Sequence, residues 1–109
     1  MDDLYNKIVI KLNDAVAKGK FLKNGDPVIK AELTRGENGS INISYSTLTD
    51  MLRQKGIGAI PVAADGSTDY TQITSIDYTT GNDGKFVVTL QNGNVIKGSI
   101  NGNQVKVED

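Results

Sequence analysis

Residues 2–18 carry apolar side chains at helical spacing. At about 100° per residue, seven of them share one stripe: Leu4, Tyr5, Ile8, Val9, Leu12, Ala15 and Val16. Acidic residues at the start and Lys18-Gly19-Lys20 at the end are the charges and the stop signal expected of a helix. The pattern predicts an amphipathic helix whose stripe faces the core. Ile10 lies on the opposite side, so it is either a single exposed isoleucine or a contact with a partner subunit.

The next segment alternates between apolar and polar residues on either side of a polar turn. Apolar positions recur at every second residue over 29–33 and again over 41–43, which predicts a β-hairpin. Ser46 is the predicted N-cap of a short second helix over residues 47–55. The stretch 56–69 shows no periodicity. It is predicted to be an irregular loop, anchored on the sheet by its apolar residues Ile57, Ile60, Pro61 and Val62.

Four strand candidates follow at short intervals, at residues 71–78, 85–90, 94–100 and 103–108. Turn-forming residues separate them, at 81–84, at Asn92-Gly93 and at Asn101-Gly102. An Asn-Gly pair between apolar strands predicts a two-residue hairpin turn, because both central residues of a type I′ turn need a positive φ. Such turns would pair Leu90 with Val95 and Ile100 with Asn103. The chain is therefore predicted to end in a four-stranded antiparallel meander.

This register places apolar residues on both faces of the meander. One face holds Val87, Ile96, Ile100, Val105 and Val107, and the other holds Phe86, Val88, Leu90 and Val95. The N-terminal helix can cover one face, while the hairpin, the short helix and the loop cover part of the other. Any uncovered remainder is an interaction surface. The residues expected to contact a partner are Ile10, Phe86, Val88 and Tyr78.

We interpret these 109 residues as a single α+β domain with an N-terminal helix packed on a mainly antiparallel sheet. The composition of the chain limits the kinds of catalytic chemistry that it can carry out. The chain contains no histidine, cysteine or tryptophan, so it lacks the usual general base, the thiol nucleophile and the commonest zinc ligands. We therefore expect no cofactor, no metal and no enzymatic activity. One enzymatic alternative stays open, in which two of four carboxylates converge in a cleft: Asp65, Asp69, Asp77 and Asp83.

The charge balance bears on the kind of partner. Lys and Arg number 12 and Asp and Glu number 13, so the net charge of −1 supplies no broad basic surface for nucleic acid. The longest apolar run is far shorter than the roughly 20 residues that a membrane-spanning helix needs. The expected partner is another protein, either further copies of the chain or a different protein.

Several segments from Ser46 onward occur in a suggestive order. Leu48 and Leu52 precede Gly56-Ile57-Gly58-Ala59-Ile60-Pro61, and then come Ile73-Thr74-Ser75-Ile76-Asp77-Tyr78, Gly84-Lys85-Phe86-Val87-Val88-Thr89-Leu90 and Ile96-Lys97-Gly98. This order resembles the globular head of a type IV pilin or pseudopilin, over about half of the chain. The resemblance implies an antiparallel sheet laid on the N-terminal helix, and subunits that stack through their helices into a surface fibre.

Two functional hypotheses follow. The first is a non-enzymatic assembly subunit resembling the soluble head of a type IV pilin-like surface fibre, in which Ile10 and its helical neighbours contact adjacent subunits. The second is a small soluble protein, phage-type or cytosolic, that binds and inhibits a partner protein. Exposed tyrosines among Tyr45, Tyr70 and Tyr78 would favour the second, since tyrosine is enriched at interface hot spots. The expected location is the cell surface in the first case and the cytoplasm in the second.

Overall fold

Two helices and two antiparallel sheets make up the chain in the computed structural model, which describes residues 2–80 and 83–108. The helices are α1 (Asp2–Ala17) and α2 (Leu48–Gln54), and the strands are β1 (Leu22–Lys23), β2 (Asp26–Arg35), β3 (Ile41–Thr47), β4 (Ile73–Tyr78), β5 (Gly84–Leu90), β6 (Val95–Asn101) and β7 (Gln104–Val107). Short 3₁₀ turns occur at Glu37–Gly39 and Tyr70–Gln72. β1, β2 and β3 form one sheet in that order, and β4 to β7 form the second as a meander. The predicted α+β class is confirmed.

Helix α1 ends where its sequence predicts. Gly19 has a φ of +69°, a left-handed conformation that glycine adopts without steric cost. The N–H of Lys20 donates to the carbonyl of Ala15 at 2.9 Å, and the N–H of Gly19 donates to that of Val16 at 3.1 Å. These two bonds form a Schellman motif, which satisfies carbonyls that would otherwise lack partners at the helix end.

The apolar stripe of α1 faces β2 but does not reach the core. Its residues are half-buried, apart from Leu4, which is exposed, and no residue of the stripe belongs to the buried cluster. Two tyrosine hydroxyls hold the helix in place. Tyr5 donates to the carbonyl of Leu33 and Tyr78 donates to that of Gly19, each at 2.9 Å. The prediction of a core-forming stripe is corrected accordingly, because a groove separates α1 from the meander.

The hairpin and α2 form as predicted, with one correction at the cap. The N-cap of α2 is Thr47 rather than Ser46, because Ser46 lies inside β3, where it pairs with Lys30, and β3 ends at Thr47. The Thr47 hydroxyl accepts from the N–H of Asp50 at 3.3 Å, and the Asp50 carboxylate accepts from the N–H of Thr47 at 3.1 Å. This reciprocal capping box satisfies two backbone donors at the start of the helix.

The four strands of the meander are confirmed, but both Asn-Gly turns differ from the prediction. β5 and β6 pair Thr89 with Val95 and Val88 with Ile96, which leaves the three-residue loop 91–93 with Gly93 at a φ of +90°. Such a loop is a type I turn followed by a left-handed glycine. β6 and β7 are joined through residues 102–103, with Ile100 opposite Val105. The predicted turn at 81–84 includes residues 81 and 82, which lie outside the described part.

The corrected register gives the meander one apolar face rather than two. Residues alternate strictly between buried and accessible along both β5 and β6. The buried cluster comprises Ile29, Leu48, Leu52, Ile60, Phe86, Val88, Leu90, Ile96, Ile100 and Val105. α2 and the 56–69 loop therefore cover the inner face. Of the predicted loop anchors, Ile60 is buried and Ile57 half-buried, whereas Val62 is 54% exposed.

A glycine on β6 makes room for the largest core side chain. A Cβ at Gly98 would lie 2.5 Å from the ring of Phe86 and would overlap the carbonyl oxygen of Lys106. Phe86 pairs directly with Gly98 in the ladder. Because Gly98 has no side chain, the phenyl ring of Phe86 can lie over β6. β7 can also pair closely with the opposite edge of β6.

Candidate interaction surface

The four residues predicted to contact a partner lie in different environments. Ile10 is 68% exposed, on the side of α1 that faces away from β2. Phe86 and Val88 are 1% and 0% exposed, so in the folded chain they are core residues and are closed to a partner. The reason is the one-residue shift in register between β5 and β6, which turns both side chains inward. Tyr78 is half-buried, and its hydroxyl is bonded to the backbone of Gly19.

A fully buried carboxylate joins the first sheet to α2. Asp26, at the start of β2, is 0% exposed. Its Oδ1 accepts from the N–H of Thr49 at 3.2 Å, and its Oδ2 accepts from the Thr49 hydroxyl at 2.5 Å and from the Tyr70 hydroxyl at 2.7 Å. Both oxygens are therefore occupied by donors from α2 and from the turn at 70–72. The sequence pattern does not single out this aspartate, because its partners are 23 and 44 residues away.

The direction of the hydrogen bonds around an ionised Asp26 is determined by chemistry. A carboxylate only accepts, so the Thr49 hydroxyl must donate to it and can only accept from Thr68, whose hydroxyl lies 2.8 Å away. Thr68 in turn accepts from Nε of Arg53 at 3.2 Å. Arg53 also donates to the carbonyl of Gly66 at 2.9 Å and pairs with Asp50. One continuous chain of donors therefore runs from a cation at the surface of α2 to the buried carboxylate.

Burial governs the titration of this cluster. Desolvation raises the pKa of Asp26 above its usual value, although the hydrogen bonds from Thr49, Tyr70 and Thr47 act in the opposite direction. Burial, the bond to Asp26 and its charge together raise the pKa of Tyr70 to about 12. Burial, with a smaller effect of the Asp26 charge, also raises the pKa of Tyr78. A buried carboxylate with both oxygens bonded cannot reach a substrate. Its hydrogen bonds instead connect β2 to α2 and to the turn at 70–72.

Of the four carboxylates in the enzymatic alternative, Asp65 and Asp69 lie in local turns, whereas Asp77 lies on β4. Asp65 accepts from the N–H and hydroxyl of Ser67, and Asp69 caps the turn at 70–72 by accepting from Thr71. These bonds lower the pKa of both aspartates, with the Ser67 hydroxyl and the Thr71 hydroxyl as the largest causes. Asp77 and Asp83 are exposed. Within residues 2–80 and 83–108, no group of three or more acidic side chains is placed so that it could hold a metal ion.

Exposed apolar side chains concentrate in the first part of the chain. We call α1 and β1–β3, residues 2–47, the N-terminal layer. It contains six of the eight large exposed apolar residues that the structure describes: Leu4, Ile10, Leu22, Ile41, Ile43 and Tyr45. The same layer supplies one residue, Ile29, to the buried core cluster. Residues 48–108 have a covered apolar face, whereas the N-terminal layer leaves much of its apolar surface in water.

Two concave features border this layer. A groove of about 590 Å³ runs between α1, β2 and the β6–β7 turn, and its lining includes Val16, Ala17, Ile29 and Ile100. A smaller notch of about 90 Å³ lies where Leu4 and Tyr5 approach Ile41. The apolar stripe of α1 and the exposed face of β3 therefore meet at the N-terminal end of the helix.

No protein-family model, curated protein or solved structure matches this chain. No helix within residues 2–80 and 83–108 is both long enough and apolar enough to cross a membrane.

Proposed function

We propose that this chain is a non-enzymatic assembly subunit, comparable to the soluble head of a type IV pilin-like surface fibre, and that the N-terminal layer is its contact surface with neighbouring copies. The observation that carries the proposal is the unequal burial of its two parts. The layer carries six of the eight large exposed apolar residues of the described chain, whereas its buried aliphatic residues are Val28 and Ile29, of which only Ile29 belongs to the core cluster. Apolar surface concentrated in this way is typical of protein–protein contact sites.

The amphipathic pattern of the layer supports this function. In a sheet with one face on a core, polar and apolar residues alternate. β2 and β3 have this alternation, with Lys30, Glu32 and Asn42 on the polar face. On the other face, Ile41 and Ile43 remain exposed in the isolated chain. A neighbouring subunit packed on this face would bury Ile41 and Ile43, which the chain alone leaves exposed.

The position of α1 also supports assembly through helices. Its stripe lies half-buried against β2, while Ile10 projects from the other side with 68% of its surface exposed. A helix that packs on its own sheet and on a neighbouring subunit needs apolar residues on two sides. Ile10 supplies the second side.

The alternative function, binding and inhibition of a different protein, draws support from Tyr45. This residue is exposed, and its ring lies 5.6 Å from that of Phe21 and 5.7 Å from the Lys23 ammonium group. Tyrosine is one of the residues enriched among interface hot spots. Tyr70 and Tyr78, in contrast, are engaged by hydrogen bonds inside the chain.

Sedimentation velocity over a wide range of protein concentration, with electron microscopy of the concentrated samples, tests the proposal. The wild type is expected to self-associate, and Ile10→Lys is expected to weaken association. Val62→Lys is the matched control, because Val62 is 54% exposed, lies outside the layer and receives the same charge. A wild type that stays monomeric throughout would overturn the assembly function and favour the inhibitor. Equal behaviour of the two variants would show that α1 is not the contact.

A further inference from the structure

The outer edge of β3 presents a row of backbone groups without partners in the described chain. β2 and β3 pair in unbroken register from Lys30↔Ser46 to Arg35↔Ile41. Just beyond, the N–H of Gly36 donates to the carbonyl of Ser40 at 2.8 Å, which marks this as a hydrogen-bonded pair. Because such pairs alternate along an antiparallel ladder, the even-numbered residues of β3 bond to β2. The N–H and C=O groups of Ile41, Ile43 and Tyr45 therefore point away from β2.

The other sheet edges carry features that discourage pairing with a further strand. α1 lies along the free side of β2, where Tyr5 bonds to the carbonyl of Leu33. β4 has an irregular register between Ile73 and Ser75, and an exposed acid at Asp77. β7 is four residues long and includes Lys106. Short strands, bulges, charges and covering elements are the usual protections of an edge.

β3 has none of these protections. It is seven residues long, and residues 40–47 contain no charge, no proline and no glycine. Its apolar side chains, Ile41, Ile43 and Tyr45, are all exposed on one face. A regular, uncharged strand of β-favouring residues at an open edge is a template for another strand.

The sequence of β3 is complementary to itself. We propose that a second copy of this chain pairs its β3 antiparallel to this edge, about a two-fold axis at Ile43. Ile43 then faces its own counterpart, and Ile41 faces Tyr45 on the same apolar side, while Asn42 faces Ser44 on the polar side. All three facing pairs that contain odd-numbered residues are hydrogen-bonded pairs, so the outward groups of both strands are satisfied. No charge opposes a like charge.

The pairing rests on the proposed assembly function and names one of its contacts. It joins the two hairpins into one continuous sheet and brings the exposed side chains of Ile41, Ile43 and Tyr45 from both copies together. Such a contact is isologous, with the same patch used by both partners, and it closes at two copies. The surface around Ile10 on α1 stays free for a second, different contact. A two-fold contact combined with a second contact can extend beyond a dimer.

A charge-swap experiment tests the pairing in the full chain. Ile43→Lys and Ile43→Glu each place two like charges opposite one another at the axis, and each is expected to weaken self-association by about tenfold or more. An equimolar mixture of the two variants places opposite charges there and is expected to restore association. Val95→Lys is the control for both, because Val95 is 47% exposed, against 51% for Ile43, but projects from the inner strand β6. Circular dichroism confirms that each variant is folded.

A second measurement fixes the register. The chain has no cysteine, so Asn42→Cys and Ser44→Cys introduce the only thiols. Across the proposed axis, residues 42 and 44 form a non-hydrogen-bonded pair, whose Cα atoms are about 4.5 Å apart and within disulfide range. Oxidation of the mixed variants is expected to give the heterodimer, and either variant alone is expected to cross-link poorly.

Each outcome bears on one of the two proposals. Restoration by mixing, together with the mixed disulfide, supports the β3 pairing. Association that resists both Ile43 substitutions but disappears in Ile10→Lys overturns the pairing and leaves the assembly function standing. A wild type that never associates overturns both. Efficient cross-linking of Ser44→Cys with itself refutes the register about Ile43.

Discussion

Removal of the buried carboxylate tests the claim that Asp26 ties the first sheet to α2. In Asp26→Ala, three hydrogen bonds lose their acceptor: two from Thr49 and one from Tyr70. The Thr49 hydroxyl keeps a partner, since Thr68 lies 2.8 Å away. The Tyr70 side chain is half-buried and lines an open depression of about 220 Å³ beside Asn24 and Ile73, so it lies next to water. The backbone N–H of Thr49 is buried and is left with no acceptor in the present arrangement.

The expected change in the free energy of unfolding follows from these three lost hydrogen bonds. An unsatisfied buried N–H costs about 1–3 kcal/mol, and each lost bond to a charged acceptor removes roughly 1.5–3 kcal/mol of net stabilisation. Burial of the Asp26 carboxylate is unfavourable, as its raised pKa shows. The substitution removes this desolvation cost, which offsets part of the loss. We therefore expect the free energy of unfolding to fall by about 3 kcal/mol. For an m-value of about 2 kcal/mol per molar urea, the unfolding midpoint moves down by about 1.5 M.

Urea unfolding followed by circular dichroism at neutral pH measures this change, since the chain has no tryptophan to report by fluorescence. Asp65→Ala is the control: it removes an aspartate that also accepts two hydrogen bonds, but at an exposed turn. Its midpoint is expected to stay close to that of the wild type. If Asp26→Ala shifts the midpoint no more than this control does, the cluster does not tie the sheet to α2.

Three further changes have defined directions. Gly98→Ala drives a methyl group into the core ring and a strand carbonyl, so we expect a loss of at least about 2 kcal/mol by urea unfolding, whereas Gly58→Ala has open space and should be tolerated. Thr47→Ala removes the cap of α2 and should cost about 1 kcal/mol, against little change for Ser46→Ala. Desolvation raises the pKa of Asp26, so this carboxyl group holds its proton more tightly in the folded state than in the unfolded state. The contribution of Asp26 to stability therefore falls as pH rises from about 4 through the raised pKa. The stability advantage of the wild type over Asp26→Asn should therefore grow on acidification, as parallel urea titrations at several pH values would show, and an advantage that shrinks on acidification would contradict the raised pKa.

The sequence pattern predicted the elements well and the meander register less well. Periodicity locates α1 and the strands of the meander, because each element has a clear apolar face and a turn signal at its end. An Asn-Gly pair, however, fits both a two-residue turn and the three-residue loop 91–93, since each places glycine at a positive φ. The choice shifts the β5–β6 register by one residue. That single shift reverses the direction of Phe86 and Val88, and it accounts for the prediction of two apolar faces.

The Asp26 cluster could not be predicted, for a different reason. Asn24-Gly25 forms the turn between β1 and β2, and both residues have a positive φ. The burial of the aspartate that follows depends on Thr49 and Tyr70, which approach it only when the chain has folded. Interactions between residues 23 and 44 positions apart leave no periodic signal in one sequence.

Where the pattern and the structure disagree about burial, the disagreement is itself informative. Periodicity predicts that the stripe of α1 and the apolar positions of the hairpin are covered, yet Leu4, Ile41 and Ile43 are exposed in the isolated chain. For the meander, the same kind of pattern agrees with the structure once the register is corrected. Exposed apolar residues cost solubility, and isolated ones are common on any surface. A complete amphipathic face is different, because every second position along β3 must be apolar to produce it. The apolar positions that stay exposed therefore mark the surface that a neighbouring copy covers in the proposed assembly. The edge of β3 is where the backbone of that copy can pair.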